Sequence, residues 1–376
     1  MTNDRIPMIP PHKVISMVRI LAEKLDYNHA LMNVPHMWQD TKGAGVKLAV
    51  LDTGLPNHVD IKPCGSFSAI PHYLDDENGH ATHVAGIIAA VANNGMGVAG
   101  IAPDVEDYYG AVLDGDGSGS MKAIVEGIEW AVDEVKADII NMSLGIPAGQ
   151  RIEHKFERAC AYAFSKGVTI IAAAGNEAGG VGQPASYDST TAVAAIDDEK
   201  QHASFSNTGP EVDFATGGVN VYSTYLNNSY AKLSGTSMAA PALAAIVALI
   251  KAKHRADGVE LGPAQLRDHL QKISYDVGPE GFDETFGHGL PVFGKHEDPQ
   301  TYPAVPDEQD KSPEQPDDKK SGPRANCVYW RMWGDFISSV NGSLDDDPDL
   351  KKAIVKGIRS VGRATKATNK ALRQSN

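Results

Sequence analysis

Cysteine is scarce, with three in 376 residues: Cys64, Cys160 and Cys327. An odd and sparse set gives no disulfide framework of the kind that staples small secreted domains. A secretory leader is not evident either. Met1-Thr2-Asn3-Asp4-Arg5-Ile6-Pro7 has no basic stretch leading into an apolar core, and the apolar run at 14–22 is short and broken by Arg19. That run cannot span a bilayer, which takes about 20 apolar residues. Cytoplasm is the expected compartment. Positive charge is in deficit as well. A net charge of -14 argues against general affinity for nucleic acid, and no specific nucleic-acid partner is expected. No internal repeat is evident.

What is present suits a globular enzyme. Apolar residues make up 42% and charged residues 22%, and 37 glycines suit many tight turns. Apolar strands are expected at 46–51, 107–113, 137–144, 168–174 and 191–196, with helices at 80–91, 121–135, 152–166 and 238–254. Such alternation predicts an α/β fold with a mostly parallel central sheet and helices on both faces. These sheets place their chemistry at the carboxyl ends of strands. Residues 1–33 form an N-terminal extension, extended at Met8-Ile9-Pro10-Pro11, with a short amphipathic helix expected at 12–24. Residues 34–294 form the main domain. Residues 295–326, rich in Pro, Asp, Glu, Lys and Gln, read as a disordered linker. Residues 327–376 read as an aromatic and basic amphipathic helical module. Eight Lys/Arg and no Asp/Glu fall between Leu350 and Asn376.

Four residues invite a chemical reading. Ser237 sits among small residues where a long apolar helix begins, which suits a nucleophile or a helix cap. Asp52 closes an apolar strand, as a turn aspartate or as an acid needing a partner. His80 and His83 open a helix one turn apart. No Cys, third His or spaced Glu completes a metal site, so His80 reads as a general base and His83 as structural. Asn176 follows a buried strand, as a turn residue or as an amide donor to an oxyanion. Taken singly each stays ambiguous.

Taken in order they resemble a known family. Val50-Leu51-Asp52-Thr53-Gly54, Gly79-His80-Ala81-Thr82-His83-Val84-Ala85-Gly86, Asn141-Met142-Ser143-Leu144-Gly145, Ala173-Ala174-Gly175-Asn176 and Gly235-Thr236-Ser237-Met238-Ala239-Ala240-Pro241 resemble the motifs of subtilisin-like serine peptidases. The similarity covers residues 34–290 and implies the three-layer subtilisin-like fold. It implies Asp52 as orienting acid, His80 as base, Ser237 as nucleophile and Asn176 as oxyanion donor. Gly117, Ser118 and Gly119, with Ser143, Leu144 and Gly145, would be the edges that take a peptide as an added strand. Ala173, Ala174, Gly175 and Gly182 would line the first specificity pocket, with Glu177 at its mouth favouring basic groups. A structural Ca2+ is implied, held by the side chains of Asp60 and Asn94 and the carbonyls of Ala92, Met96 and Val98.

Three departures are visible. Ala81 and Ile146 each replace a glycine usual in the family, and Thr216-Gly217-Gly218 replaces Ala-Pro-Gly. Residues 1–33 are too short for a prodomain, and Arg5-Ile6-Pro7-Met8-Ile9-Pro10-Pro11 is similar to the inhibitory extension of intracellular subtilisins. Polypeptides are the expected substrates. A protein partner or an anionic surface is the expected target of the basic C-terminal helix, and homodimerisation stays open. The rival expectation is a pseudoprotease that keeps the groove for binding peptides.

Overall fold

A computed structural model describes residues 6–9, 16–18, 23–150 and 154–294. The expected linker at 295–326, the module at 327–376 and the remainder of residues 1–22 lie outside the described residues. The chain runs β1 (Ile6–Pro7), β2 (Ser16–Val18), α1 (Tyr27–Leu31), α2 (Val34–Met37), β3 (Lys47–Asp52), β4 (Gly65–Ser68) and α3 (His80–Ala89). It continues through β5 (Glu106–Ala111), β6 (Ser118–Gly119), α4 (Met121–Trp130), β7 (Ile139–Met142), α5 (His154–Ser165) and β8 (Thr169–Ala173). β9 (Thr190–Ile196), β10 (Val212–Gly217), β11 (Val221–Tyr225), β12 (Ser229–Leu233), α6 (Thr236–Ala256) and α7 (Pro263–Ile273) follow.

Seven strands form the central sheet in the order β10-β9-β8-β7-β3-β5-β4, and every pairing is parallel. A parallel sheet is covered on both faces, and the side chains of β3 show why. Leu48 and Val50 pack into the core beneath α3 and α6, while Ala49 and Leu51 point to the core beneath α4 and α5. The chain builds one side of the sheet from β3 to β5 and then crosses to β7 and builds the other. That reversal is a switch point, where open α/β sheets leave a crevice at the strands' carboxyl ends. Asp52 ends β3 there.

α6 is the central helix, buried from Thr236 through Ala252. It is long and apolar enough to cross a membrane by length and composition, but its burial makes it a core helix here. It begins two residues before the expected start, so Pro241 falls in the second turn and not the first. A proline there donates no hydrogen bond to the carbonyl of Ser237.

The N-terminal region differs from expectation. Part of the helix predicted at 12–24 is the strand β2, which pairs antiparallel with β12 through Tyr230↔Val18, Ala231↔Met17 and Lys232↔Ser16. A free edge on the β11–β12 hairpin outweighs the weak helical pattern. The helix expected at 121–135 also changes character, since α4 ends at Trp130 and continues as a π-turn, Ala131–Val135. Cys160 is a buried free thiol whose pKa burial pushes up to about 12.

Candidate active site

The geometry begins at the end of β3. Asp52 Oδ1 accepts from the Thr53 amide at 2.7 Å, and His80 Nδ1 lies 2.8 and 3.0 Å from the two Asp52 oxygens. Both side chains are 1% exposed, so the pair works away from solvent screening. His80 opens α3, whose N-cap Gly79 takes φ 93°, a left-handed conformation glycine adopts at little cost. Ala81 is fully buried and its amide donates to Thr53 Oγ1 at 3.1 Å, so the methyl is accommodated. His83 Nε2 lies 3.1 Å from the carbonyls of both Val221 and Ala231, a structural role.

Ser237 lies at the start of α6. Its hydroxyl donates to the Ser143 carbonyl at 3.2 Å, and Ser143 Oγ donates to the Ser237 carbonyl at 2.9 Å. The second bond uses the carbonyl that Pro241 leaves without a helical partner. Asn141 Nδ2 in turn donates to Ser143 Oγ at 3.0 Å.

Asn176 follows β8. Its Oδ1 accepts from the Thr236 amide at 2.8 Å and from Thr236 Oγ1 at 2.9 Å, which fixes the amide's orientation and turns Nδ2 the other way. A Cβ placed on Gly235 would stand 3.3 Å from Asn176 Nδ2 and 3.7 Å from the Ser237 amide. Asn176 Nδ2 and the Ser237 amide nitrogen thus lie near one point beside the serine, with Asn176 Oδ1 3.8 Å from the same point.

The N-terminal segment lies on residues 117–119 and 145, which the resemblance implies as groove edges. Ile6 and Pro7 pair antiparallel with Gly119 and Ser118. The amides of Met8 and Ile9 donate to the Gly117 carbonyl at 3.1 and 3.3 Å, and the Gly145 amide donates to the Met8 carbonyl at 3.1 Å. Beside this segment is a cavity of about 300 Å³, bounded by residues that include Leu144, Ala174, Gly175, Gly182 and Ser237. A Cβ on Gly182 would come within 2.7 Å of the Ile146 carbonyl. Ile146 itself bridges to Gln183 and closes that wall.

Sequence reading missed Asn207. It is 1% exposed, its Nδ2 donates to the Ala174 carbonyl and to Glu177 Oε2, and its Oδ1 accepts from the amides of Glu177 and Gly179. It thus pins the loop carrying Asn176 from 30 residues away, within a Ser-Asn-Thr-Gly run that looks like any turn. Glu177 Oε2 also accepts from the Asn176 amide at 3.0 Å, so the carboxylate expected to attract basic substrates is engaged in holding its own loop.

Of the expected calcium residues, Asp60 is bonded to Asn94 and Val98 of the 92–98 loop. Among the described residues no cluster of three or more His, Cys, Asp or Glu side chains is present; the candidate donors are one carboxylate, one amide and three carbonyls. Asp60 is fully buried, and burial raises its pKa. It accepts from Asn94 Nδ2, the Val98 amide and Tyr230 Oη. Glu23 approaches from the other side, accepting from the amides of Asn93, Asn94 and Gly95. A buried carboxylate without a cationic partner among the described residues, in a loop rich in oxygen donors, has the chemistry of a hard-cation site.

A buried acid–histidine pair at the carboxyl ends of a parallel seven-stranded sheet suits a serine peptidase of the subtilisin type, and the family match shows that class. The chain belongs to the subtilase family, whose profile matches residues 43–289. It is 43% identical over 260 residues to Subtilisin DY of Bacillus licheniformis, covering 67% of this chain and 90% of that one. It is 42% identical over 270 residues to the Minor extracellular protease Epr of Bacillus subtilis (strain 168), covering 70% of this chain and 40% of that one. Against Subtilisin Savinase of Lederbergia lenta it is 42% identical over 251 residues, 66% of this chain and 89% of the other. The match thus spans less than half of Epr but most of the two subtilisins.

Proposed function

We propose that this chain is a serine endopeptidase whose triad is Asp52, His80 and Ser237. The observation that carries the reading is the buried Asp52–His80 pair, 2.8 Å apart, with Asn176 Nδ2 and the Ser237 amide nitrogen both near one point beside Gly235. An anionic oxygen there gains two fixed donors that a neutral carbonyl uses less well. Ser237 Oγ turns from Ser143 and attacks the peptide carbonyl as His80 takes its proton. The C–N bond then breaks, and the proton passes to the leaving amine. A water attacks the acyl-enzyme, His80 takes the water's proton, the ester C–O bond breaks and the proton returns to Ser237. Asp52 holds the Nδ1–H tautomer and stabilises the imidazolium throughout.

The same proposal makes the N-terminal extension an inhibitor. Supporting it are the antiparallel pairing of Ile6 and Pro7 with Gly119 and Ser118, and the bonds of Met8 and Ile9 to Gly117 and of Gly145 to Met8, on the two edges that a substrate would use. A short tether gives an effective concentration on the order of millimolar. A segment binding with an intrinsic Kd of ~0.1 mM would then hold activity down about tenfold. Deleting residues 1–9 is expected to raise kcat/KM on a short peptide by about that factor and to speed labelling of Ser237 by a fluorophosphonate. An unchanged rate removes the inhibitory role; no labelling in either form favours the peptide-binding pseudoprotease.

Calcium belongs to the proposal as a structural ion on Asp60, Asn94 and the carbonyls of Ala92, Met96 and Val98. When bound, it offsets the buried Asp60 charge and ties the loop to the body. A ligand at about 100 times its Kd adds about 2.7 kcal/mol, roughly 5–10 °C in Tm for a domain of this size. Chelation is expected to lower Tm by that amount, with recovery on adding Ca2+ and no response in Asp60→Asn. A Tm indifferent to chelator rules the site out.

A further inference from the structure

Asp76 appears in no part of the chemistry above, yet it is the most heavily hydrogen-bonded carboxylate next to it. It is 7% exposed. Its Oδ1 accepts from Thr53 Oγ1 at 2.8 Å, the Gly79 amide at 2.9 Å and the Asn78 amide at 3.1 Å. Its Oδ2 accepts from Thr82 Oγ1 at 2.6 Å and the Thr82 amide at 2.8 Å. Thr53 follows Asp52 in the chain. Gly79 and Thr82 flank His80. One carboxylate therefore grips the end of β3 and the first turn of α3 together.

That grip matters because these two elements come from sequence positions 28 apart, and α3 lacks a capping side chain of its own. The first amides of a helix need outside acceptors. Here Asn78 Oδ1 serves the His80 amide at 3.2 Å, Thr53 Oγ1 serves the Ala81 amide at 3.1 Å and Asp76 serves the Thr82 amide. Thr53 Oγ1 donates to Asp76 while accepting from Ala81, so the chain Asp76–Thr53–Ala81 closes a ring around the Asp52–His80 bond. Asp76 is itself held: its amide donates to the Leu55 carbonyl at 2.9 Å, and the Leu55 amide donates to the Leu74 carbonyl at 2.8 Å. A Cβ on Gly54 would come within 2.6 Å of that Leu74 carbonyl, so the two segments touch backbone to backbone.

We propose that Asp76 is a positioning residue for the triad, fixing the Asp52–His80 geometry by clamping Thr53 to the start of α3. All five of its contacts are donors, so the site calls for an acceptor-only anion. Asparagine has the same shape but sets an NH2 against donors on one side, and the negative charge at the helix N-terminus is lost with it.

The proposal rests on the peptidase reading, and its test separates the two. Steady-state kinetics on a peptide substrate, the downfield 1H resonance of the His80 Nδ1–H and the melting temperature are measured for wild type, Asp76→Asn, Thr53→Val and Thr53→Ser. Misplacement of a reacting group by about 1 Å costs on the order of 100-fold. Asp76→Asn and Thr53→Val are expected to lose about 10–100-fold in kcat with little change in KM, and to shift or broaden the resonance. Thr53→Ser, which keeps the hydroxyl, is expected to restore both. A folded Asp76→Asn with wild-type kcat, or a loss confined to KM with the resonance unmoved, overturns the proposal. If Asp76→Asn does not fold, the two Thr53 variants decide: equal behaviour of Val and Ser overturns it. A wild type that neither cleaves nor labels overturns the peptidase reading instead.

Discussion

Ser237→Ala is expected to reduce kcat about 10⁶-fold while leaving peptide binding intact; that size is subtilisin's own for loss of its serine. The geometry says why the two effects separate. In the proposed reading a peptide binds through backbone edges at Gly117–Gly119 and Gly145, where residues 6–9 now lie, and not through the Ser237 hydroxyl. Among the described residues the hydroxyl's one hydrogen-bond partner is the Ser143 carbonyl, so its removal leaves an acceptor short of a weak bond and costs the fold little. The oxyanion donors stay, since one is the backbone amide of residue 237 and the other is held by Thr236. Some rate above the uncatalysed reaction should therefore survive. The check is kcat and peptide affinity of purified Ser237→Ala beside wild type. A residual rate within tenfold of wild type would mean another nucleophile does the work.

Asp52→Asn is expected to cost about 10⁴-fold in kcat with the fold retained, the size seen when a serine protease loses this charge but keeps its shape. Asp52 accepts on Oδ1 from both the Thr53 amide and His80 Nδ1. An asparagine that keeps its oxygen on Thr53 sets its NH2 at the Oδ2 position, 3.0 Å from Nδ1, where it opposes the Nδ1–H that both carboxylate oxygens now accept. Imidazole answers by putting its proton on Nε2, where it can no longer receive one from Ser237. The loss should appear in kcat, and it should shrink at high pH, where hydroxide can take the serine proton without help. Equal activity of Asn and Asp at neutral pH would sink the orienting role.

Much of the fold was legible because it rests on local pattern. β3, β7 and β8 are short runs buried on both faces, and each ends in a motif residue, so strand and site were read from the same few letters. Asp52, His80, Asn176 and Ser237 stand at element ends with glycine or small neighbours, which short motifs record well. What was not legible depends on distance along the chain. Asn207 holds the Asn176 loop from 30 positions off, and the clamp at Asp76 matters through Thr53, 23 positions away. Neither residue looks unlike a turn residue until both ends of its bonds are known. β2 was misread for the same reason: Ser16–Val18 has no strong period of its own, and the edge of β12 gives it its form. Glu177 is expected at a pocket mouth, and its carboxylate accepts from Asn207, which no local pattern reveals.

Pro241 gives the nucleophile an unusual frame of reference. In an unbroken helix the carbonyl of Ser237 would be tied to residue 241, and the serine would move with α6. Here that carbonyl is tied to Ser143, at the end of β7, and the serine hydroxyl points back to the same residue. Ser237, the proposed nucleophile, is thus registered to the sheet, as Asp52 and Asn176 are, and not to the helix that carries it. A slight sliding or flexing of α6 against its neighbours would leave the reacting atoms in mutual alignment. One proline, by withholding a single hydrogen bond, transfers the serine from the mechanics of its helix to those of the strands.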